Sequence, residues 1–253
     1  MSLHITIEGP PRAPPLVLAN SLAATHEMWE AQCAALRGRW RLVRFNYAGH
    51  GDPGFAGDAP ASIEGIAQAL LSQLDTVGIQ RFSFVGLSLG GMLGLHVAGS
   101  VPERIDRLVV ANCRYYQTEE LRQQWDQRIA AVQGGGLEAI AGLTVERWLT
   151  PAFRQARPDA AAAIHRMICS TSRGGYAAAA AAVRDYDARP LLGRIACPVL
   201  VISGVQDAAA PADHLAELAQ SLNARHLALD PCAHLSCVER SEAFSEGAGA
   251  FLS

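Results

Sequence analysis

The sequence predicts an α/β fold in which a mostly parallel central sheet carries helices on both faces and a helical segment is inserted between two strands. Three observations predict it. As far as Ala111, short apolar runs alternate with helix-spaced segments, ending strand, helix, strand, helix, strand, helix, strand. That alternation is the pattern of βαβ units. From Tyr115 to Tyr186 no strand pattern occurs, and helix-spaced segments follow one another. A buried-strand pattern resumes at Cys197. The core domain is therefore expected over residues 1–114 and 187–253, with a helical cap over 115–186.

Each element follows from its residues. Ile5-Thr6-Ile7 alternates as a short edge strand does. Leu16 to Ala19 is an apolar run suited to burial on both faces. A helix is expected from Glu27 to Leu36, with Met28, Trp29, Cys33 and Leu36 near one stripe. Arg41 to Phe45 is the next strand, and Asn46 to Asp58 is a loop rich in Gly, Asp and Pro. Ser62 is placed to cap a helix running to Val77, which Gly78 stops. Phe82 to Leu87 and Ile105 to Ala111 are strands, with a helix between them. The insertion reads as helices over Gln117 to Val132, Leu137 to Leu149, Pro158 to Ser170 and Tyr176 to Val183. Gly134-Gly135-Gly136, Pro151 and Gly174-Gly175 separate them, and the alanine runs are good helix formers. After the strand at Cys197 to Gly204, Pro211 starts a helix to Leu222, Arg225 to Leu229 is the last strand, and Glu239 to Leu252 is a closing helix.

Composition excludes several function classes. Half of the 253 residues are hydrophobic, 18% are charged, and the formal charge is -3. With no basic stripe, nucleic acid is not an expected partner. No apolar run of about 18 residues suits a membrane span, and Met1-Ser2-Leu3-His4-Ile5 does not open a secretory signal. A cytoplasmic protein, monomer or homodimer, acting on a small molecule is expected. The cysteines at 33, 113, 169, 197, 232 and 237 are expected to be free thiols. Cys232, His234 and Cys237 lack the second ligand pair that zinc requires, so neither metal nor cofactor is expected.

The chemistry centres on Gly86-Leu87-Ser88-Leu89-Gly90, set between a strand and a helix. A strand that turns sharply into a helix at a serine is a nucleophile elbow, and the positions two before and two after the serine must be small. The turn exposes the hydroxyl at a helix N-terminus, where a developing oxyanion is favoured. A serine hydroxyl needs a base to take its proton and an acid to orient that base. In this architecture they follow in the order Ser, acid, His. Of the histidines after the insertion, His214 falls in a helix and His226 in a strand, whereas His234 lies in the loop after the last strand. Asp207 lies in the loop after the preceding strand. Asp213 reads instead as a helix-start carboxylate, and Asp230 is too close to His234 in sequence. The oxyanion donors are expected to be the backbone N–H groups of Leu89 and of Leu22, the latter in the loop Asn20-Ser21-Leu22 after the first buried strand.

These residues carry a family resemblance. The chain resembles an α/β-hydrolase from end to end, and most closely the 3-oxoadipate enol-lactonase group of the β-ketoadipate pathway. The matching pieces are Leu18-Ala19-Asn20-Ser21-Leu22; Gly86 to Met92; Val201-Ile202-Ser203-Gly204 with Asp207 and Pro211; and Ala233-His234-Leu235-Ser236 with Val238-Glu239. Arg147-Trp148 with Pro151 resembles the segment that offers an arginine to an acidic substrate in that group. The resemblance thus implies an ester or lactone hydrolase of a small acid, with Arg147 as its carboxylate partner. Arg114 is a second anion-site candidate, and Trp148 and Trp29 are candidate pocket walls. Departures bear on the substrate more than on the chemistry. Asn46-Tyr47-Ala48 stands where an Asp and an Arg are usual, Ala23-Ala24 where the lactonases tend to have Gly, and Asn112 to Tyr116 opens the cap with bulk and charge where relatives are small and polar. A general carboxylesterase, a carbon–carbon bond hydrolase of the meta-cleavage type and a ligand-binding relative with little turnover remain open. Ser88 at the nucleophile position disfavours an aspartate-nucleophile dehalogenase.

Overall fold

The structure, a computed structural model, describes residues 3–51 and 59–253. The loop expected over Asn46 to Asp58 therefore lies partly outside the described residues, as do Met1 and Ser2.

The strands are β1 (His4–Glu8), β2 (Pro15–Ala19), β3 (Arg41–Asn46), β4 (Phe82–Leu87), β5 (Ile105–Ala111), β6 (Val199–Gly204) and β7 (Arg225–Leu229). They form one sheet in the order β1-β3-β2-β4-β5-β6-β7. β1 runs antiparallel to β3, and the other neighbours are parallel. The apolar runs of β4 and β6 are buried at every position, as strands covered on both faces must be. The chain leaves β2 toward β3 and returns to β4 on the other side of β2. That reversal is a topological switch point, where the carboxyl ends of neighbouring strands open a crevice.

The helices are α1 (Glu30–Leu36), α2 (Ile63–Thr76), α3 (Leu89–Ser100), α4 (Glu119–Gly135), α5 (Glu138–Trp148), α6 (Pro151–Ala156), α7 (Pro158–Cys169), α8 (Arg173–Asp185), α9 (Arg189–Leu192), α10 (Ala212–Ser221), α11 (Ser236–Glu239) and α12 (Ser241–Leu252). Side-chain oxygens of Ser62, Thr118, Thr150 and Ser172 accept backbone N–H bonds at the starts of α2, α4, α6 and α8. The segment between β5 and β6 is helical, apart from an isolated bridge pairing Tyr116 with Asp187 at its base.

The differences from expectation have local causes. His26–Trp29 is a 3₁₀ turn, so of the segment expected over Glu27 to Leu36 only Glu30–Leu36 is α-helical. Pro151 was expected only to break the chain. It starts α6, because a proline at the first helical position lacks an N–H that would be unpaired there anyway. α9 also begins with a proline in its first turn and was not anticipated. α4 runs through Gly134 and Gly135 and stops at Gly136, whose φ of +75° suits glycine. α8 starts earlier than expected and includes Gly175, where a Cβ would stand 2.6 Å from the Ala48 carbonyl oxygen. The closing helix is divided at Arg240.

Candidate active site

The elbow is built from backbone contacts. Ser88 follows β4 with φ +57° and ψ -113°, a conformation costly for an L-residue. It is held there by its N–H, which donates to the Ala111 carbonyl at 2.9 Å, and by its carbonyl, which accepts from Met92 at 3.0 Å. A Cβ on Gly86 would lie 2.1 Å from the Gly90 carbonyl oxygen, and one on Gly90 2.1 Å from that of Ala19. The two glycines are therefore required by the close approach of β2, β4 and α3. Leu89 is the first residue of α3, so its N–H has no acceptor within the helix.

Asp207 and His234 meet from separate strand ends. His234 Nδ1 lies 2.8 Å from Asp207 Oδ2, and both residues are buried. The other carboxylate oxygen accepts from the N–H groups of Ala209 at 2.7 Å and Ala210 at 3.0 Å. Burial pushes the Asp207 carboxyl up. The opposing pull of His234, the Asn112 amide and the Ala210 N–H outweighs it and leaves the group below its ordinary value. Asp207 therefore stays ionised and holds the imidazole with Nδ1–H toward it, which leaves Nε2 as the basic nitrogen. Close packing brings the two loops together, since a Cβ on Gly204 would stand 2.1 Å from the Ala233 carbonyl oxygen. Asp213 instead accepts from the His214 N–H at the start of α10. His214 accepts from the Tyr115 N–H and stacks on its ring, and burial pulls it down to about 4. His226 pairs with the Ser203 hydroxyl.

The loop after β2 faces the elbow. The Asn20 carbonyl accepts from the Gly90 N–H at 2.9 Å and from the Tyr47 hydroxyl at 2.8 Å, which ties this loop to the start of α3. Ala23 adopts φ +59°, the left-handed region that a glycine would occupy without strain. Trp29 does not line the pocket as expected. It is fully buried in the core, where its indole N–H donates to Asn20 Oδ1 at 3.1 Å. Its aromatic bulk therefore supports the loop from behind.

A cavity joins these parts. Its floor carries Ser21, Leu22, Ala23, Ser88 and His234, and its roof comes from the β5 exit and from α4, α5 and α8. Arg114, Arg147 and Trp148, all singled out from sequence, line it. The Trp148 ring centre stands 5.9 Å from that of His234. Arg147 donates to the Ala208 carbonyl at 3.2 Å and Arg114 to that of Ala209 at 2.7 Å, so both reach the acid loop. Burial lowers the pKa of Arg147. The charges of Arg128 and Arg114 add to the effect and Asp207 opposes it.

Sequence reasoning missed three side chains. Arg128 lines the roof, donating to the Tyr176 hydroxyl at 3.2 Å and to Thr144 Oγ1 at 3.1 Å. Leu121, Gln124, Trp125 and Arg128 fall at helical spacing on one stripe of α4, which was the available signal. Asn112, just past β5 at φ +46°, donates to Asp207 Oδ2 at 2.9 Å and to the Ala233 carbonyl at 3.1 Å, and accepts from Ser236 at 2.5 Å. Glu239 accepts from the Ala233 N–H at 3.0 Å and from Thr150. Among the described residues, no group of three His, Cys, Asp or Glu could hold a metal ion. No helix among them is long and apolar enough to cross a membrane. All six cysteines are free thiols.

A strained serine between strand and helix, at the carboxyl edge of a sheet of this order, defines an α/β-hydrolase. The chain belongs to that family: residues 14–241 match the model of the alpha/beta hydrolase fold. It is 30% identical to 3-oxoadipate enol-lactonase 2 of Acinetobacter baylyi (strain ATCC 33305 / BD413 / ADP1), over 100% of this chain and 93% of that protein. The crystal structure of the enol-lactonase from Burkholderia xenovorans LB400 superimposes with a TM-score of 0.93 at 35% identity, covering 99% of this chain and 96% of that one. RutD of Klebsiella pneumoniae (strain 342), provisionally named a carbamate hydrolase, is 31% identical over 84% of this chain and 80% of its own. The protein is a hydrolase with enol-lactonase relatives.

Proposed function

We propose that this hydrolase works through Ser88 and an acyl-enzyme, opening a lactone or ester of a small acid, with 3-oxoadipate enol-lactone as the favoured candidate. The observation that carries the reading is one cavity: Ser88 and the Asp207-bound His234 share it with three guanidinium groups. His234 Nε2 takes the hydroxyl proton as Ser88 Oγ attacks the carbonyl carbon. The oxyanion rests on the N–H groups of Leu22 and Leu89. The ring C–O bond then breaks, and His234 returns the proton to the leaving oxygen, giving an enol that becomes a ketone. Water, deprotonated by His234, attacks the acyl carbon, and Ser88 regains its proton as the acid departs. Arg147 pairs with the substrate carboxylate. The helices from α4 to α8 act as a lid over the serine. A carbamate carbonyl is the second reading, favoured by the RutD relative.

The test is hydrolysis of 3-oxoadipate enol-lactone beside neutral esters, acidic esters and one carbamate. Acidic substrates should have the higher kcat/KM, and Ser88→Ala should lose about 10⁴-fold or more in kcat. Full activity in Ser88→Ala ends the acyl-enzyme reading. A preference for the carbamate moves the substrate assignment to the second reading.

A further inference from the structure

The loop after β2 carries one of the two N–H groups proposed for the oxyanion, and its hydrogen bonds show which donors are already spent. The Ala24 N–H donates to the Ser21 carbonyl at 3.2 Å, closing a turn in which Ala23 has φ +59°. The Leu22 N–H has no acceptor among the described residues, and Leu22 lines the cavity. The Ser21 N–H donates to the thioether sulfur of Met28 at 3.4 Å. Both residues are buried. A buried backbone N–H almost always has a partner, but a thioether sulfur is a weak acceptor for it. The first residue of the turn is therefore held through one side chain.

That side chain belongs to the 3₁₀ turn His26–Trp29, which is fixed in its own right. The Met28 N–H donates to the Thr25 carbonyl at 3.1 Å, and the Met28 carbonyl accepts from the Cys237 thiol, 3.8 Å away in α11. Trp29, next in the chain, donates to Asn20 Oδ1. Two neighbouring side chains of one turn thus grip two neighbouring residues of the loop, Trp29 through the Asn20 side chain and Met28 through the Ser21 backbone. Only the φ and ψ of Ser21 separate its N–H from that of Leu22, so a rotation that freed the first would re-aim the second.

We propose that Met28 is a positioning residue for the reaction: its sulfur, by holding the Ser21 N–H, aims the Leu22 N–H at the oxyanion formed when Ser88 attacks. This rests on the acyl-enzyme reading above and adds to it a side chain that does not line the cavity. Loss of the contact weakens the transition state and leaves substrate binding alone.

The experiment compares two variants on 4-nitrophenyl acetate. Met28→Leu keeps the bulk and removes the acceptor. Met28→Gln keeps the length and supplies an amide oxygen; Met28 borders an open cleft behind the loop, toward which the rest of the amide can turn. Met28→Leu should lose about tenfold or more in kcat with KM within about twofold of the wild type, and Met28→Gln should recover most of that loss. Wild-type kcat in Met28→Leu, or an equal fall in both variants, overturns the assignment, because lost packing alone acts on both. Amide exchange of the wild type, followed by NMR, needs no variant. Ser21 should exchange at least about tenfold more slowly than Leu22, which has no acceptor, and equal rates also overturn the assignment. Absence of any ester hydrolysis by the wild type sinks the acyl-enzyme reading instead, and the exchange comparison then still decides whether the sulfur holds the loop.

Discussion

The carboxyl edge of the sheet and the roof above it are built by different rules. At the edge, position is set by backbone. Glycines at 86, 90 and 204 stand where a Cβ would meet a carbonyl oxygen at 2.1 Å, and the Asp207 carboxylate is satisfied by His234, Asn112 and two N–H groups. In the roof, position is set by helix packing, and the guanidinium groups of Arg114, Arg128 and Arg147 are left without a carboxylate partner among the described residues. A catalytic group has to be in place before substrate arrives. A recognition group gains its partner from the substrate. On the proposed function, that difference separates the groups that perform the reaction from those that choose what reacts.

The largest test of that comparison is a methyl group at each region. Gly86→Ala sets a Cβ against Gly90 backbone, which cannot turn aside as a side chain can. The loss should be on the order of 4 kcal/mol or more, seen as insoluble protein or a collapsed melting temperature. Gly142→Ala, within α5 with nothing within 4 Å, should be neutral or stabilise by up to about 1 kcal/mol. Equal tolerance at both sites breaks the comparison. Next in size is Asn112→Gly, which accepts the positive φ and removes the amide. Asp207 loses a donor that holds its carboxyl down, so its pKa rises. The acid limb of the kcat profile should therefore move to higher pH, with kcat falling about 100-fold if the imidazole shifts with it. An unchanged limb removes Asn112 from the positioning of the acid.

Much of the edge was legible in the sequence, because its constraints are written in residue type and order. Gly86 and Gly90 flank Ser88, and Asp207 and His234 each follow a strand. Asn112 was not legible as a brace, since its role depends on a left-handed backbone at the end of β5, which asparagine permits but does not announce. Trp29 misled for a related reason: its indole N–H already had a partner in Asn20, and a partnered aromatic in the core looks the same in sequence as a pocket wall. In the roof, Arg128 was hidden because its stripe on α4 mixes Leu121 and Trp125 with Gln124, so it reads as neither a core face nor a charged one. The proline of α6 was read as an end when, behind the Thr150 cap, it is a beginning.

The smallest effect is expected at the joint between the two regions. Glu239, in α11, accepts from the Ala233 N–H on the histidine loop and from the N–H and hydroxyl of Thr150 ahead of α6. The Leu235 N–H donates to the Trp148 carbonyl at 3.1 Å, and the Trp148 ring lies at 32° to that of His234. One carboxylate thus clamps the loop that carries His234 to the helices that frame the roof. Glu239→Ala leaves these donors unpaired, at a cost of about 1–3 kcal/mol. The imidazole then samples orientations away from Ser88, and kcat should fall about tenfold. That fall should be the same for neutral and acidic substrates, because Glu239 acts on the base and not on the substrate carboxylate. Arg147→Ala, in contrast, should raise KM for acidic substrates alone. If Glu239→Ala instead changes only the KM of acidic substrates, the clamp serves the roof, and His234 is positioned by the edge without it.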